Sequence, residues 1–398
     1  MQLFDISAAL LALAALFSWV NARFIHLPTT IGVMLIALVF SLLLISLSFF
    51  GVDAQVYASK LLAGIDFNIT LMYGMLSFLL FAGALHININ DLRQQAWVVL
   101  TLATLGVIIS TFLVAVASWL LLNGLGFSIS FIYCLLFGAL ISPTDPIAVL
   151  AMLKSVGTPK SLETKIAGES LFNDGVAVVV FIIILRLATG GETVQASSVI
   201  GLFLVEAIGG AVLGFVAGYG VYRMLKTINN YQVEVLLTLG LVMGTYSLAH
   251  ALHVSGPIAI VIAGLLIGNH GRTLAMSDKT REHLDTFWEL MDEILNAVLF
   301  VLIGLEILVL TFSGKYWLAG LLTIPIILLA RFISVAIPIT LMKWRRKFTP
   351  GVIKILTWAG LRGGISVALA LSIPVSPERT LILALTYTVV LFSIIVQG

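Results

Sequence analysis

Runs of about twenty apolar residues, separated by short polar clusters, recur along the whole chain, and each is long enough to cross the hydrocarbon core of a bilayer as an α-helix. Thirteen can be read: 4–22, 31–50, 68–87, 96–122, 128–153, 166–188, 197–224, 233–254, 256–270, 286–310, 316–342, 352–374 and 378–397. Polar breaks at 21–28, 154–165 and 343–350 are loops. The tightest junction is at Gly256, where Pro257 follows with almost no loop between runs eight and nine. The segment 272–287 carries charges of both signs and is expected to lie along the membrane face ahead of run ten. The pattern predicts an all-α polytopic membrane protein.

Basic residues give the orientation. With an odd number of spans the termini lie on opposite sides, and cytoplasmic loops are enriched in Lys and Arg. If the N-terminus is outside, the cytoplasmic loops hold fifteen of the 21 basic residues, from Arg23 and Arg93 through Arg272 to Arg346 and Lys354. Four fall outside (Lys60, Arg186, Lys315 and Arg379), and Arg331 and Arg362 lie within spans. Thirteen spans with a cytoplasmic C-terminus in the inner (plasma) membrane is therefore the expected topology. Trp97, Trp317 and Trp344 sit near span ends, as interfacial anchors do. The first run starts with Asp5 and lacks a small-residue cleavage site, so it reads as a retained helix rather than a signal peptide.

Composition agrees. Of 398 residues, 60% are hydrophobic and only 10% charged, against about 25% charged in soluble domains, too few to wet a surface. No polar linker divides the chain. A net charge of +2 gives no argument for nucleic acid, and the single cysteine, Cys134, excludes an intramolecular disulfide. No nucleotide-binding loop, His/Cys metal spacing or nucleophile triad is present, so neither ATP drive, nor a cofactor, nor enzymatic chemistry is expected.

Two spans are interrupted. Span five contains Ile-Ser-Pro-Thr-Asp-Pro at 141–146, and proline removes a backbone donor and clashes with the preceding turn. Span twelve contains Trp-Ala-Gly-Leu-Arg-Gly-Gly at 358–364. Irregular backbone inside a membrane survives only where protein or a watery cavity satisfies it. Splitting the chain into spans 1–6, a linker span 7 and spans 8–13 puts both interruptions in the fifth span of each half. The halves would then be inverted repeats, with the interrupted helices crossing at mid-membrane. Paired interruptions of this kind point to a transporter's binding site; unrelated proline and glycine kinks are the bland alternative.

Ionisable residues within spans are costly and so candidates for function. The densest group opens span six: Gly168-Glu169-Ser170-Leu171-Phe172-Asn173-Asp174-Gly175. A spacing of four stacks Ser170 with Asp174 and Glu169 with Asn173. Small hard cations need oxygen ligands, and Asp174, Ser170, Thr144 and Asp145, with freed carbonyls of span five, supply them. One carboxylate that holds either a proton or a cation, but not both, gives obligatory exchange if only the loaded carrier changes its access. Asp145 reads either as a ligand or as a partner of the half-helix dipoles. Glu169 and Arg331 read as a buried ion pair, and Arg362 as a donor to carbonyls freed by the interruption. Glu206, His250 and His253 read as ordinary polar contacts. Glu289, Asp292 and Glu293 stabilise the start of span ten or line a cation funnel.

The motifs at 141–149, 168–175, 255–265 and 359–366 resemble the sodium/proton exchangers of the first monovalent cation:proton antiporter family, prokaryotic branch, over nearly the whole chain. The resemblance implies a homodimer whose core domain moves like an elevator. Residues 1–95 and 232–310 would form the dimerisation domain, 189–231 the linker helix, and 96–188 and 311–398 the core. It implies that Asp174 is the essential carboxylate, with Thr144, Asp145 and Ser170 around the ion, and that Glu169 pairs with Arg331. Asn173 before that aspartate marks electroneutral members, implying one proton per sodium. Two departures stand out: Ala82 occupies the span-three region where some members carry an acid, and the sequence ends at Gly398 without the cytosolic tail many members use for regulation. The expected activity is Na⁺/H⁺ exchange with Li⁺ competing. A K⁺/H⁺ antiporter is the alternative within the class and a gated cation channel the alternative outside it, channels usually building selectivity from symmetric rings.

Overall fold

A computed structural model of the chain describes residues 3–48, 74–146, 149–150, 153, 157–190, 196–308, 314–346 and 348–398. Among these residues the protein is helix and turn without a β-strand. In chain order the helices are α1 (Leu3–Val20), α2 (Thr29–Ser48), α3 (Leu76–His86), α4 (Ile89–Gly124), α5 (Phe131–Leu140), α6 (Lys160–Gly190), α7 (Ala196–Leu225) and α8 (Tyr231–Ala251). They continue with α9 (Gly256–Gly271), α10 (Asp278–Glu306), α11 (Gly314–Met342), α12 (Val352–Trp358), α13 (Gly364–Leu371) and α14 (Pro377–Gln397). Among the described residues, eight helices are long and apolar enough to cross a membrane.

Each apolar run read from the sequence coincides, in its described part, with one of these helices, runs five and twelve being split. The start of run three (68–73), part of the second half of run five, and Lys60, Lys154 and Lys347 lie outside the described residues. Several boundaries differ: the break read as a loop over 154–165 is helical from Lys160, where α6 begins, and α4 begins at Ile89 rather than 96. The segment 272–287 does not lie apart from span ten: Ser277 caps α10 by accepting from the Thr280 N–H, and from Asp278 the chain is one helix to Glu306. Glu289, Asp292 and Glu293 consequently stand in mid-helix, not at a helix start. The tight junction after α8 is real, because the Ser255 hydroxyl accepts from the Ile258 N–H and Pro257 occupies the first turn, where its missing donor costs nothing.

Two sets of helices pack side by side. In one, α10 lies on α1, α2, α3 and α8, while α9 lies on α3, α7 and α8. In the other, α4 lies on α5, α6 and α11, and α14 on α11 and α13. They meet where α6 touches α7 and α9 and where α13 touches α10. Close approach depends on small residues: at Gly138 of α5 any side chain would strike the Thr111 backbone carbonyl of α4.

The described loops assigned to one side by charge, the one at Arg23 aside, contact one another at one end of the molecule. There Lys160 pairs with Asp91 at 2.8 Å, Arg346 donates to the Gln94 carbonyl at 3.0 Å, and Tyr231 stacks on His283. At the other end Arg186 pairs with Glu206 at 3.2 Å, and the Ser255 N–H donates to the Glu206 carbonyl. Glu206, read as an ordinary polar contact, is buried and takes part in this ion pair.

Candidate functional site

Helix α5 stops at Leu140, its last turn closed by the Ile141 and Ser142 N–H groups on the Phe137 and Ala139 carbonyls; residues 143–146 are not helical, and helical backbone is present again at 149. Pro143 and Pro146 account for this, since neither can donate and each disfavours helix in the residue before it. Helix α12 stops at Trp358 and α13 begins at Gly364, leaving 359–363 irregular. The two breaks meet. The Asp145 N–H donates to the Leu361 carbonyl at 2.8 Å, a single antiparallel pairing between the interrupted segments. Arg362, almost wholly buried, sends Nη1 to the carbonyls of Ser142 (2.7 Å) and Pro143 (2.9 Å), so each break supplies partners for the other. A Cβ at Gly363 would lie 2.6 Å from Asp145 Oδ2, so only glycine lets the segments cross this closely.

One face of α6 closes over the first break. Glu169, Ser170, Asn173 and Asp174 are all buried. The Ser170 hydroxyl donates to the Thr144 carbonyl. Asn173 grips Thr144 at both ends of its amide: Nδ2 donates to Thr144 Oγ1 at 2.8 Å, and Oδ1 accepts from the Thr144 N–H at 3.3 Å. Asn173 was expected among the ion-binding groups; here its amide is engaged in holding Thr144. Asp174, one turn beyond Ser170, lies close enough to Asp145 for their charges to interact. Thr144, Asp145, Ser170, Asn173 and Asp174 are thereby brought into one polar nest in an apolar bundle.

Beside it, Arg331 Nη1 of α11 lies 2.5 Å from Glu169 Oε1. Its Nε and Nη2 donate to the Leu356 carbonyl at 3.3 and 3.0 Å, satisfying the frayed end of α12. Arg362 reaches across to the other break rather than serving its own.

Three contributors escaped the sequence reading. The Ser393 hydroxyl accepts from the Arg362 N–H at 2.8 Å and donates to Gln397 Oε1 at 2.9 Å, while Gln397 Nε2 donates to the Trp358 carbonyl at 3.3 Å. The last turn of α14 thus caps the second break, and a glutamine within an otherwise apolar run was the available signal. The third is Asn296, on the inward face of α10. Asn296 is buried one turn from Asp292, and Leu299 packs where a Cβ on Gly364 would sit, 2.6 Å from Leu299 Cδ2.

Crossed interrupted helices with a buried carboxylate beside the crossing define a class, the multi-pass membrane transporters that bind their cargo at paired helix breaks. The family profile described as "Sodium/hydrogen exchanger, transmembrane" matches residues 10–398, and the chain belongs to this family. It is 54% identical to a Na(+)/H(+) antiporter, NhaP, of Pseudomonas aeruginosa over 99% of this chain and 94% of that protein. It is 36% identical to the Na(+)/H(+) antiporter NhaH of Halobacillus dabanensis, covering 95% of this chain and 91% of that one. The fold resembles the solved sodium proton antiporter MjNhaP1 of Methanocaldococcus jannaschii, with a TM-score of 0.78 at 21% identity, covering 99% of this chain and 96% of that one.

Proposed function

We propose that this protein exchanges sodium for protons by alternating access, with both competing for the Asp174 carboxylate. The observation that carries the proposal is the convergence of Asp174, Asp145, Ser170 and Thr144 where two broken helices cross, in a family of sodium/hydrogen exchangers. A desolvated carboxylate flanked by hydroxyl and carbonyl oxygens suits a small hard cation. The same carboxylate is neutralised just as well by a proton, so either cargo removes the charge that would otherwise be stranded inside the bundle.

The finer reading follows the same physics. Lithium competes with sodium because it uses the same oxygens. Asn173, neutral beside Asp174, leaves a single carboxylate on that helix face to titrate, which favours one proton per sodium and no net charge movement. Residues 96–188 and 311–398, which hold most of α4 with α5, α6 and α11 to α14, are the moving core, sliding against a dimerisation domain built from residues 1–95 and 232–310, with residues 189–231 as the linker. The two inverted halves make thirteen spans in the plasma membrane, N-terminus outside, and two copies form the functional unit.

The test is fluorescence dequenching in proteoliposomes under sodium, lithium or potassium gradients, at several pH values and clamped potentials. Asp174→Asn is expected to abolish exchange while the protein remains folded; full activity in that variant overturns the site. Potential-dependent exchange overturns the one-to-one coupling, and Asn173→Asp is expected to introduce potential dependence. A conductance without counter-transport of protons would identify a channel instead.

A further inference from the structure

Away from the ion site, a cavity of about 550 Å³ opens at the basic end of the molecule, where the chain turns from α3 into α4 beside the end of α9. That volume lies in the range of small-molecule sites. Eleven residues line it, among them His86, Arg93, His270 and Arg272, and none is an aspartate or glutamate.

Its floor is fixed by Asn269. Oδ1 accepts from the Ile89 N–H at 2.8 Å, and Nδ2 donates to the carbonyls of Ile87 and Leu265, both at 2.9 Å. The turn between α3 and α4 is thereby tied to α9, and the cavity is preformed rather than a gap between loose loops.

The neighbouring acids are already engaged: Asp91 pairs with Lys160, and Asp285 pairs with Arg272. Among the described residues, the side chains of Arg93 and His270, both exposed, have neither an ion-pair nor a hydrogen-bond partner. Trp97, 71% exposed, sits one turn further along α4 than Arg93. Exposed tryptophans mark the headgroup level of a bilayer, and basic pockets between membrane helices at the cytoplasmic surface suit phosphate-bearing headgroups.

We propose that this cavity binds a phosphate-bearing anion, supplied by the headgroup of an acidic phospholipid, with Arg93 and His270 as its principal donors. An occupant there would brace the junction between α3 and α4, which belong to the two packed helix sets. The proposal is independent of the exchange chemistry, since it involves none of the ion-site residues.

The test is thermal unfolding of the purified protein in detergent, read as loss of the monodisperse peak. Conditions are added phosphatidylglycerol, added phosphatidylcholine, or inorganic phosphate, all at one ionic strength. A ligand that binds only the folded state raises the unfolding temperature. The wild type is expected to gain a few degrees with phosphatidylglycerol over phosphatidylcholine. The double variant Arg93→Gln, His270→Gln should lose at least half of that gain. Lys343→Gln, an exposed basic residue at the same end but outside the cavity, should keep it. If inorganic phosphate alone gives the shift and the double variant loses it, the site stands with free phosphate as its ligand. Exchange in phosphatidylcholine liposomes checks that the variants fold. Should the double variant not fold, Arg93→Gln is compared with the charge-preserving Arg93→Lys, and only the former should lose the gain. No effect of either phosphatidylglycerol or inorganic phosphate in the wild type, an undiminished one in the charge-removing variant, or an equal loss in Lys343→Gln overturns the proposal.

Discussion

The backbone amide of Asp145 is bonded to the carbonyl of Leu361, two residues separated by more than 200 positions in the chain and each inside a broken helix. This bond, with the two from Arg362 to Ser142 and Pro143, makes the breaks mutually dependent: neither could satisfy its backbone alone inside an apolar bundle. It also fixes the Asp145 carboxylate, because the backbone that carries it cannot shift without breaking the pairing.

Gly363→Ala tests that coupling. The added methyl would fall 2.6 Å from Asp145 Oδ2, well inside van der Waals contact, so the carboxylate must move. The expected outcome is a folded protein whose apparent sodium affinity falls on the order of tenfold or more, as small misplacements of positioned groups cost. Sodium titrations in proteoliposomes measure it. Wild-type affinity would mean that Asp145 does not contribute from its observed place.

Asn173 makes a different prediction. Both of its hydrogen bonds go to Thr144, and losing them leaves buried donors and acceptors unsatisfied at about 1–3 kcal/mol each. Asn173→Ala should therefore lower the unfolding temperature by several degrees and raise the KM for sodium, by loosening the Thr144 loop. An unchanged KM together with lowered stability would leave Asn173 a purely structural clamp.

Much of this was legible in the sequence because lipid imposes simple rules. Apolar run length located the helices, and proline and glycine located the breaks. What the sequence did not disclose depends on which surfaces meet. Nothing local marks Ser393 as the acceptor for Arg362, since a serine in an apolar helix usually bonds back to its own turn. Nor does Asn173 announce that its amide is spent on Thr144. The start of α10 was misread for a related reason: a stretch rich in charge looks interfacial by hydropathy, yet Ser277 caps a helix there and the charges fall on its outward face while Trp288 is fully buried.

The Glu169–Arg331 pair is expected to act on stability before transport. Both side chains are buried, and removing one partner strands the other charge at about 3–5 kcal/mol. Glu169→Gln should lower the unfolding temperature on the order of 10 °C, and pairing it with Arg331→Gln should restore part of the loss. Thermal unfolding of the two singles and the double, analysed as a cycle, gives the coupling. A stable but inactive Glu169→Gln would move Glu169 into the transport machinery.

Asp292 carries the last prediction. On α10 it precedes Asn296 by four residues and Leu299 by seven, so the three share the face that abuts the second break through Leu299 and Gly364. Seven residues of helix put Asp292 about 10 Å from the level of the crossing, toward the basic end. A charge at that distance changes the energy of a cation in the nest by about 0.5–1.5 kcal/mol, depending on how much water lies between. It is too far away to be a ligand and close enough to concentrate cations on the approach. Asp292→Asn should therefore raise the KM for sodium about two- to tenfold with little change in maximal rate, and the difference from wild type should shrink as ionic strength rises, since screening removes what the mutation removes. Sodium titrations at low and high choline chloride check both parts. A fall in maximal rate at unchanged KM would show that Asp292 acts on the conformational step instead.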